Sequence, residues 1–387
     1  MIGSLPPRWM RVGTSDSPGG EAAARSAVES ALLGDEAALV ILFVSPSYDI
    51  GAVARAASAA ADGTPMIGCS TAGEIGNGTA GSGRVVAVAI GGSGVHARTA
   101  VGVLADGAAE AGRAAAQGLI DIAAPHRALL LLSEGLTGHR SEIVRGAYGV
   151  GGASVKLVGG CAGDELAMTG TWQIHDGRVF SDAVVGAALG SEGPFGVGVG
   201  HGWWRSGEAM VVTESDGDRV FRLDDEPALD YYLTRIGAPP EAFRDPGAWL
   251  RPTQRHPLGL ERPGGVEIRA FYGVDYGDRS LLCSDMPQGA IVWILEGGAD
   301  AVLAGTEAAC AEALADLGGT PPIGLLAFDC TARRTMLGDD RLPEEMRIIA
   351  RHAGAAPVAG FYTYGEIARR RGSRGIYGQT LVVLALG

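Results

Sequence analysis

The chain of 387 residues contains one lysine (Lys156) and one asparagine (Asn77). Positive charge is therefore almost entirely arginine. With the abundant alanine this reads as a composition bias, so arginine in place of lysine carries little functional information. Five cysteines, Cys69, Cys161, Cys283, Cys310 and Cys330, lie far apart with no C-x-x-C pair, which excludes a disulfide framework and a zinc pattern. No apolar run reaches the ~18 residues of a membrane helix, and the start, MIGSLPPRWMRVG, has no apolar signal core. A G-x-x-x-x-G-K-[ST] phosphate loop is absent. Basic residues are few: 31 against 44 acidic, a net charge of −13. That argues against attraction to nucleic acid or anionic lipid, which need a basic surface. The expectation is a soluble, cytoplasmic protein with no nucleic-acid partner and no membrane insertion.

Glycine is present in excess. The 62 glycines make up about 16% of the chain against a usual ~7%. No G-x-y period runs through them, and 47% of residues are hydrophobic, so the glycines belong to a globular fold with a large core. Short apolar runs such as Ala37–Val44 and Ala128–Leu132 read as strands buried on both faces. Alanine-rich segments such as Glu21–Leu33, Ile50–Ala61 and Ala299–Leu317 read as helices, and the alternation predicts an α/β fold. The middle, Val184–Glu214, predicts antiparallel strands, and Pro239–Gly265 an irregular stretch. A further helix is expected over Pro343–His352.

Three stretches align with one another: PMIGCSTAGEI (Pro65–Ile75), KLVGGCAGDEL (Lys156–Leu166) and PVAGFYTYGEI (Pro357–Ile367). Each follows a buried strand that ends in a polar turn and a helix-length segment, and each precedes another apolar strand. The fold expected is α/β, in two parts, with mixed sheets built from repeated strand–helix–strand–loop units. Loops after strands are where α/β proteins commonly bind ligands. The same pattern is also that of a tight turn whose glutamate caps a backbone amide.

Ile67–Ile75, followed by AFDCTAR (Ala327–Arg333) and PVAGFYTYGEIA (Pro357–Ala368), resembles the FIST sensory domain, and Gly200–Leu233 resembles the join between its two parts. The resemblance covers most of the chain. It implies an N-terminal part over residues 1–215 and a C-terminal part over 216–387. It also implies sensing of a small ligand, with amino acids as the proposed class and haem-bound nitric oxide as an alternative. Because no segment resembles a kinase, cyclase or chemoreceptor output, a signalling partner in trans is expected.

Within that frame, Cys69, Ser70 and Thr71 offer a thiol and hydroxyls directly after a strand. They suit hydrogen bonding to a polar ligand. A hydrolase using Cys69 or Ser70 is the alternative, although the G-x-S-x-G elbow is incomplete. Arg333, next to Cys330 at a strand end, suits a bidentate grip on a carboxylate, or else a salt bridge to Glu366. Glu74, Glu165 and Glu366 suit an ammonium group, and Cys161 and Tyr364 stand in the equivalent loops. His201, inside GHGWW, is the residue placed to ligate a haem. No metal site is expected, and no cofactor beyond that possible haem.

Overall fold

The protein is described by a computed structural model that covers residues 7–245, 247–262, 265–283, 286–369 and 375–387. Residues 9–91 form a first repeat: β1 (Trp9–Ser15), α1 (Gly20–Leu32), β2 (Ala37–Val44), α2 (Ile50–Ala60), β3 (Met66–Ser70), a hairpin of β4 (Glu74–Gly76) and β5 (Thr79–Gly81), and β6 (Val85–Gly91). Residues 96–191 repeat the order: β7 (His96–Val103), α3 (Ala108–Ala115), β8 (His126–Ser133), α4 (Arg140–Gly151), β9 (Lys156–Cys161), hairpin β10 (Gln173–His175) and β11 (Arg178–Phe180), and β12 (Ala183–Ser191).

The third repeat opens with β13 (Phe195–Gly200) and is then interrupted by a lobe of one antiparallel sheet. The lobe holds β14 (Trp204–Asp216), β15 (Arg219–Leu223), β16 (Glu226–Pro227), α5 (Ala228–Arg235), α6 (Leu250–Arg255), β17 (Leu258–Arg262), β18 (Gly265–Arg269), β19 (Phe271–Asp275), β20 (Ser280–Cys283) and β21 (Ile291–Glu296). The repeat resumes with α7 (Ala299–Ala315), β22 (Gly324–Cys330), α8 (Thr331–Ala353), β23 (Val358–Thr363), hairpin β24 (Glu366–Ala368) and β25 (Ile376–Tyr377), and β26 (Leu381–Leu386).

The mixed α/β architecture agrees with the sequence, with three differences of detail. The division expected at 215/216 cuts through β14, one continuous strand, whereas the covalent breaks in the repeat lie near residues 200 and 299. The Pro239–Gly265 stretch includes α6 and β17, which pack into the lobe. α8 begins at Thr331, twelve residues before Pro343, and is interrupted at Gly338, where φ is +63°. The resulting break admits the proline, which a continuous helix would reject.

Each repeat builds one sheet in the same order: β1-β6-β2-β3, β7-β12-β8-β9 and β13-β26-β22-β23. The last two strands in each order, such as β2 and β3, run parallel. The free edge of each parallel pair is covered by a hairpin from another repeat. β10–β11 of the second repeat pairs with β3, β24–β25 of the third pairs with β9, and β4–β5 of the first pairs with β23. The exchange is cyclic, and the three sheets share one central core. Phe43 stacks on Phe361 at 4.9 Å, and Phe328 meets Phe361 edge-on at 5.9 Å.

Much of the glycine excess has a packing cause. Helices lie directly on strand backbones. A Cβ at Gly13, Gly102 or Gly198 would fall about 2 Å from the carbonyl oxygen of Ala27, Ala111 or Ala309, each in the first helix of the same repeat. No helix among the described residues is long and apolar enough to cross a membrane. Gly198→Ala should cost ~1–3 kcal/mol through overpacking, whereas Gly149→Ala, on an exposed helix face with nothing within 4 Å, should gain ~0.5–1 kcal/mol. Urea unfolding of the two variants measures the contrast.

Candidate functional site

The loop after each parallel strand leads into the exchanged hairpin, and the register identifies the equivalent residues. Gln173 stands opposite Cys69, Glu366 opposite Gly160 and Glu74 opposite Phe361; each partner directly follows the glycine of its strand (Gly68, Gly159, Gly360). The residue equivalent to Glu74 and Glu366 is therefore Gln173, not Glu165. Glu165 is exposed in the loop and accepts a hydrogen bond from Ser45 Oγ at 2.8 Å.

All three equivalent side chains do the same work. Glu74 Oε2 accepts the backbone N–H of Arg84 at 3.3 Å, Glu366 Oε2 that of Thr380 at 3.1 Å, and Gln173 Oε1 that of Ala183 at 3.3 Å. These amides open the returning strands. Glu74 also bonds Thr71, and Glu366 bonds Thr363 and Thr380. The glutamates are structural caps, fully buried, and the ammonium role expected for them is withdrawn. Burial pushes each carboxyl from 4.5 up to about 7, with the hydroxyl and amide bonds opposing that rise.

The first loop is equally committed. Ser70 Oγ donates to the Gly163 carbonyl at 2.8 Å and accepts from Trp172 N–H at 3.0 Å, and Thr71 lies 3.4 Å from the Val44 carbonyl. Cys69 sits in the central core, and burial raises its thiol well above the ordinary range. Neither Cys69 nor Ser70 has any exposed surface, so neither presents a nucleophile to a substrate. Cys161 is buried too, and its thiol is pushed up to about 11.

Arg333 is 0% exposed. Its guanidinium meets Asp329 at 2.6 Å, Glu345 at 2.8 Å and Thr306 Oγ1 at 2.7 Å, and donates to the His201 carbonyl at 2.9 Å. No ligand carboxylate reaches it, and its acids are Asp329 and Glu345 instead of Glu366. Burial works against its charge, and the two carboxylates hold it. His201 Nδ1 accepts the Trp203 N–H at 3.0 Å, and burial followed by the Arg333 charge lowers its pKa. A Cβ at Gly305 would lie 2.3 Å from the His201 carbonyl. This closely packed setting does not fit a haem face.

What the loops do build is a cleft of about 160 Å³ at the junction of the second and third repeats, roofed by the lobe. Gly135, Leu136 and Arg140 come from the second repeat's strand-to-helix turn. Leu166 and Met168 come from its hairpin loop. Cys330, Thr331, Ala332, Tyr364 and Gln379 come from the third repeat, and Trp249, Thr253, Gln254, Ala270 and Phe271 from the lobe. A smaller annex of about 50 Å³ adjoins it, lined by Arg140, Ser141, Arg269, Tyr364 and Tyr377 among others. Of the residues expected at a site, Cys330 and Tyr364 line this cleft, and Cys69, Ser70, Thr71, Glu74, Cys161, Glu165, Arg333 and Glu366 are not among its lining residues.

Arg140 was missed because nothing in the string TGHRSEI marks it. It is the first residue of α4, and it spans the junction: one Nη donates to the Tyr364 carbonyl at 2.9 Å and the other to Gly135 O. Arg334 holds the first–third junction the same way, through Ala72 O at 2.6 Å. A helix-start arginine in two of three copies was the available signal.

The FIST N domain matches residues 38–226 and the FIST C domain residues 228–369. The chain belongs to the FIST family. FIST domains are in general sensory domains of signal transduction. An uncharacterized protein of Methanocaldococcus jannaschii is 29% identical over 126 residues, covering 30% of this chain and 25% of its own length. An uncharacterized protein of Mycobacterium tuberculosis is 27% identical over 240 residues, 58% of this chain and 59% of that protein. This FIST chain thus spans between a quarter and three fifths of the curated relatives it matches. Two Thermotoga maritima structures, PurL complexed with ADP and PurLQS, share 10% identity at TM-scores of 0.25 and 0.23, covering 99% of this chain and 72% and 74% of theirs. Values that low carry no argument.

Two outcomes follow from the buried charges. Burial raises the folded pKa of Glu74 and Glu366 to about 7 against 4.5, so the stability these two groups contribute is fullest below pH 4.5 and is lost as pH rises through 7. The loss is on the order of 2–3 kcal/mol per group. Glu366→Gln, which copies Gln173, should flatten that profile in thermal melts at pH 5 to 8.5, and Gln173→Glu should steepen it. Arg333→Met strands two buried carboxylates and should cost ~3–5 kcal/mol in urea unfolding.

Proposed function

We propose that this FIST protein is a small-molecule sensor and that its ligand, an amino-acid-like metabolite, occupies the cleft between the second and third repeats. The observation that carries the reading is that two residues of the cleft wall, Arg140 and Gln379, each hold a buried polar atom, Nε and Oε1, with no hydrogen-bond partner among the described residues. An unpaired buried donor or acceptor costs ~1–3 kcal/mol, so a pair of them on one cavity is an arrangement that a ligand relieves. The donor suits a carboxylate, and the aromatic and aliphatic wall suits an apolar body.

The cleft draws its wall from two repeats and the lobe. A ligand that touches all three favours the arrangement in which they close on it, and that population shift is the signal a partner in trans reads. The site's chemistry is that of binding: burial raises the thiols of Cys69, Cys161 and Cys330, and the hydroxyls of Ser70 and Thr71 are spent on backbone carbonyls and Glu74.

Differential scanning fluorimetry against amino acids and organic acids tests the reading when run beside Leu136→Trp, which fills the cleft. A ligand at 100 times its Kd stabilises by about 2.7 kcal/mol, a shift of several degrees. The shift should vanish in Leu136→Trp. A shift that survives the filled cleft, or none from any amino-acid-like compound, overturns it.

A further inference from the structure

The strand-to-hairpin loops of the three repeats differ in length. From strand glycine to capping residue, the first and third repeats advance 6 positions (Gly68 to Glu74, Gly360 to Glu366) and the second advances 14 (Gly159 to Gln173). The extra residues form a compact loop tied by Asp164, whose carboxylate accepts the N–H groups of Met168 (3.0 Å), Thr169 (2.7 Å) and Gly170 (3.1 Å). Tyr364, from the cleft wall of the third repeat, donates its hydroxyl hydrogen to the same carboxylate and accepts the Leu166 N–H at 2.6 Å. Burial raises the Asp164 pKa, and these bonds more than reverse it, holding the carboxyl below its ordinary value. Three non-glycine residues of the loop, Glu165 (φ +55°), Leu166 (+67°) and Met168 (+55°), hold a left-handed backbone. The backbone so held leaves Leu166 40% and Met168 48% exposed at the cleft. Apolar side chains stationed at the rim of a cavity, on a strained loop, have an evident use when something apolar enters.

The cavity's own chemistry narrows what enters. The main chamber is walled by Leu136, Leu166, Met168, Trp249 and Phe271, and among the described residues no aspartate or glutamate lines it. At about 160 Å³ it is close to the ~150 Å³ of a cavity that holds a benzene-sized group. Arg140 borders both the chamber and the annex, so a carboxylate at Arg140 places an attached apolar group in the chamber. Gln379, 2% exposed, lines the same chamber and holds Oε1 without a hydrogen-bond partner among the described residues, so a small side-chain shift would let it accept one N–H of the same ligand. A fully charged ammonium would find no counter-charge among the lining residues, whereas an amide N–H needs only the one acceptor.

We propose that the cleft binds carboxylates with a large apolar group and one N–H donor, of the N-acylated apolar amino acid class, and that the loop 164–170 closes over the apolar group through Leu166 and Met168. This rests on the sensor reading above and narrows it. Isothermal calorimetry of the full chain with N-acetylphenylalanine, phenylalanine, 3-phenylpropionate, phenethylamine and glutamate tests it. N-acetylphenylalanine should bind tightest. 3-Phenylpropionate, which lacks the N–H, should bind about tenfold more weakly, and phenethylamine and glutamate should not bind. Arg140→Met should weaken N-acetylphenylalanine at least tenfold. Because Arg140 also holds two carbonyls, the exposed double variant Leu166→Ser/Met168→Ser serves as the second arm and should weaken the same ligand severalfold with an unchanged melting temperature of the apo protein. Equal binding of phenethylamine or glutamate, no binding by N-acetylphenylalanine, or unchanged affinity in the loop variant overturns the proposal. If glutamate or phenethylamine binds and Leu136→Trp abolishes it, the ligand class fails while the cleft stands; if binding ignores Leu136→Trp, the cleft fails too.

Discussion

A parallel strand pair at the edge of a sheet leaves a row of backbone N–H and C=O groups without partners, and such an edge invites pairing with any chain that comes near. Here each of the three edges is covered by a hairpin from a different repeat, so the repeats are bound in a closed ring of exchanges. The central core, the buried caps and the cleft all depend on it. The capping residues Glu74, Gln173 and Glu366 lie at the first residue of each exchanged hairpin and hold the amide that starts the returning strand. They couple the hairpin that leaves a repeat to the strand that completes that repeat's own sheet.

Because the three junctions share this scaffold, their differences point to function. The first–third junction is closed by Arg334, which bonds Ala72 O and Ser82. The second–first junction is closed by Ser45, Ser70 and Glu165. The second–third junction keeps an arginine in the same bridging role, but it is also bordered by the long loop, which reaches Tyr364 there as well as Ser45 of the first repeat, and it lies under the lobe inserted in the third repeat. The insertion and the loop extension, far apart in sequence, meet on one cavity. Duplication supplied three equivalent positions, and the two departures from the repeat single out one of them.

Much of this was legible in the amino-acid string. The buried runs Ala37–Val44 and Ala128–Leu132 are strands because nothing polar interrupts them, and the Gly-Glu-Ile endings mark real loop equivalence in the first and third repeats. The second repeat misled because Gly-Asp-Glu-Leu imitates Gly-Glu-Ile within the loop, eight residues before the chain reaches the true counterpart, Gln173. Hairpin exchange was illegible in principle: local pattern specifies that a hairpin forms, and the three sheet edges offer it the same chemistry. Arg333 was misread because a strand-end arginine looks the same whether it faces solvent or two buried acids; Asp329 and Glu345 decide the matter, and Glu345 reaches it only through the break in α8 at Gly338.

The central claim is that one junction of three became the binding site. Hydrogen–deuterium exchange of the full chain with and without N-acetylphenylalanine tests it most directly. The account predicts slowed exchange in residues 164–170, 135–140 and 249–255, with the equivalent loop at residues 71–74 unchanged. Protection centred on residues 71–74, or spread evenly over all three junctions, would contradict it.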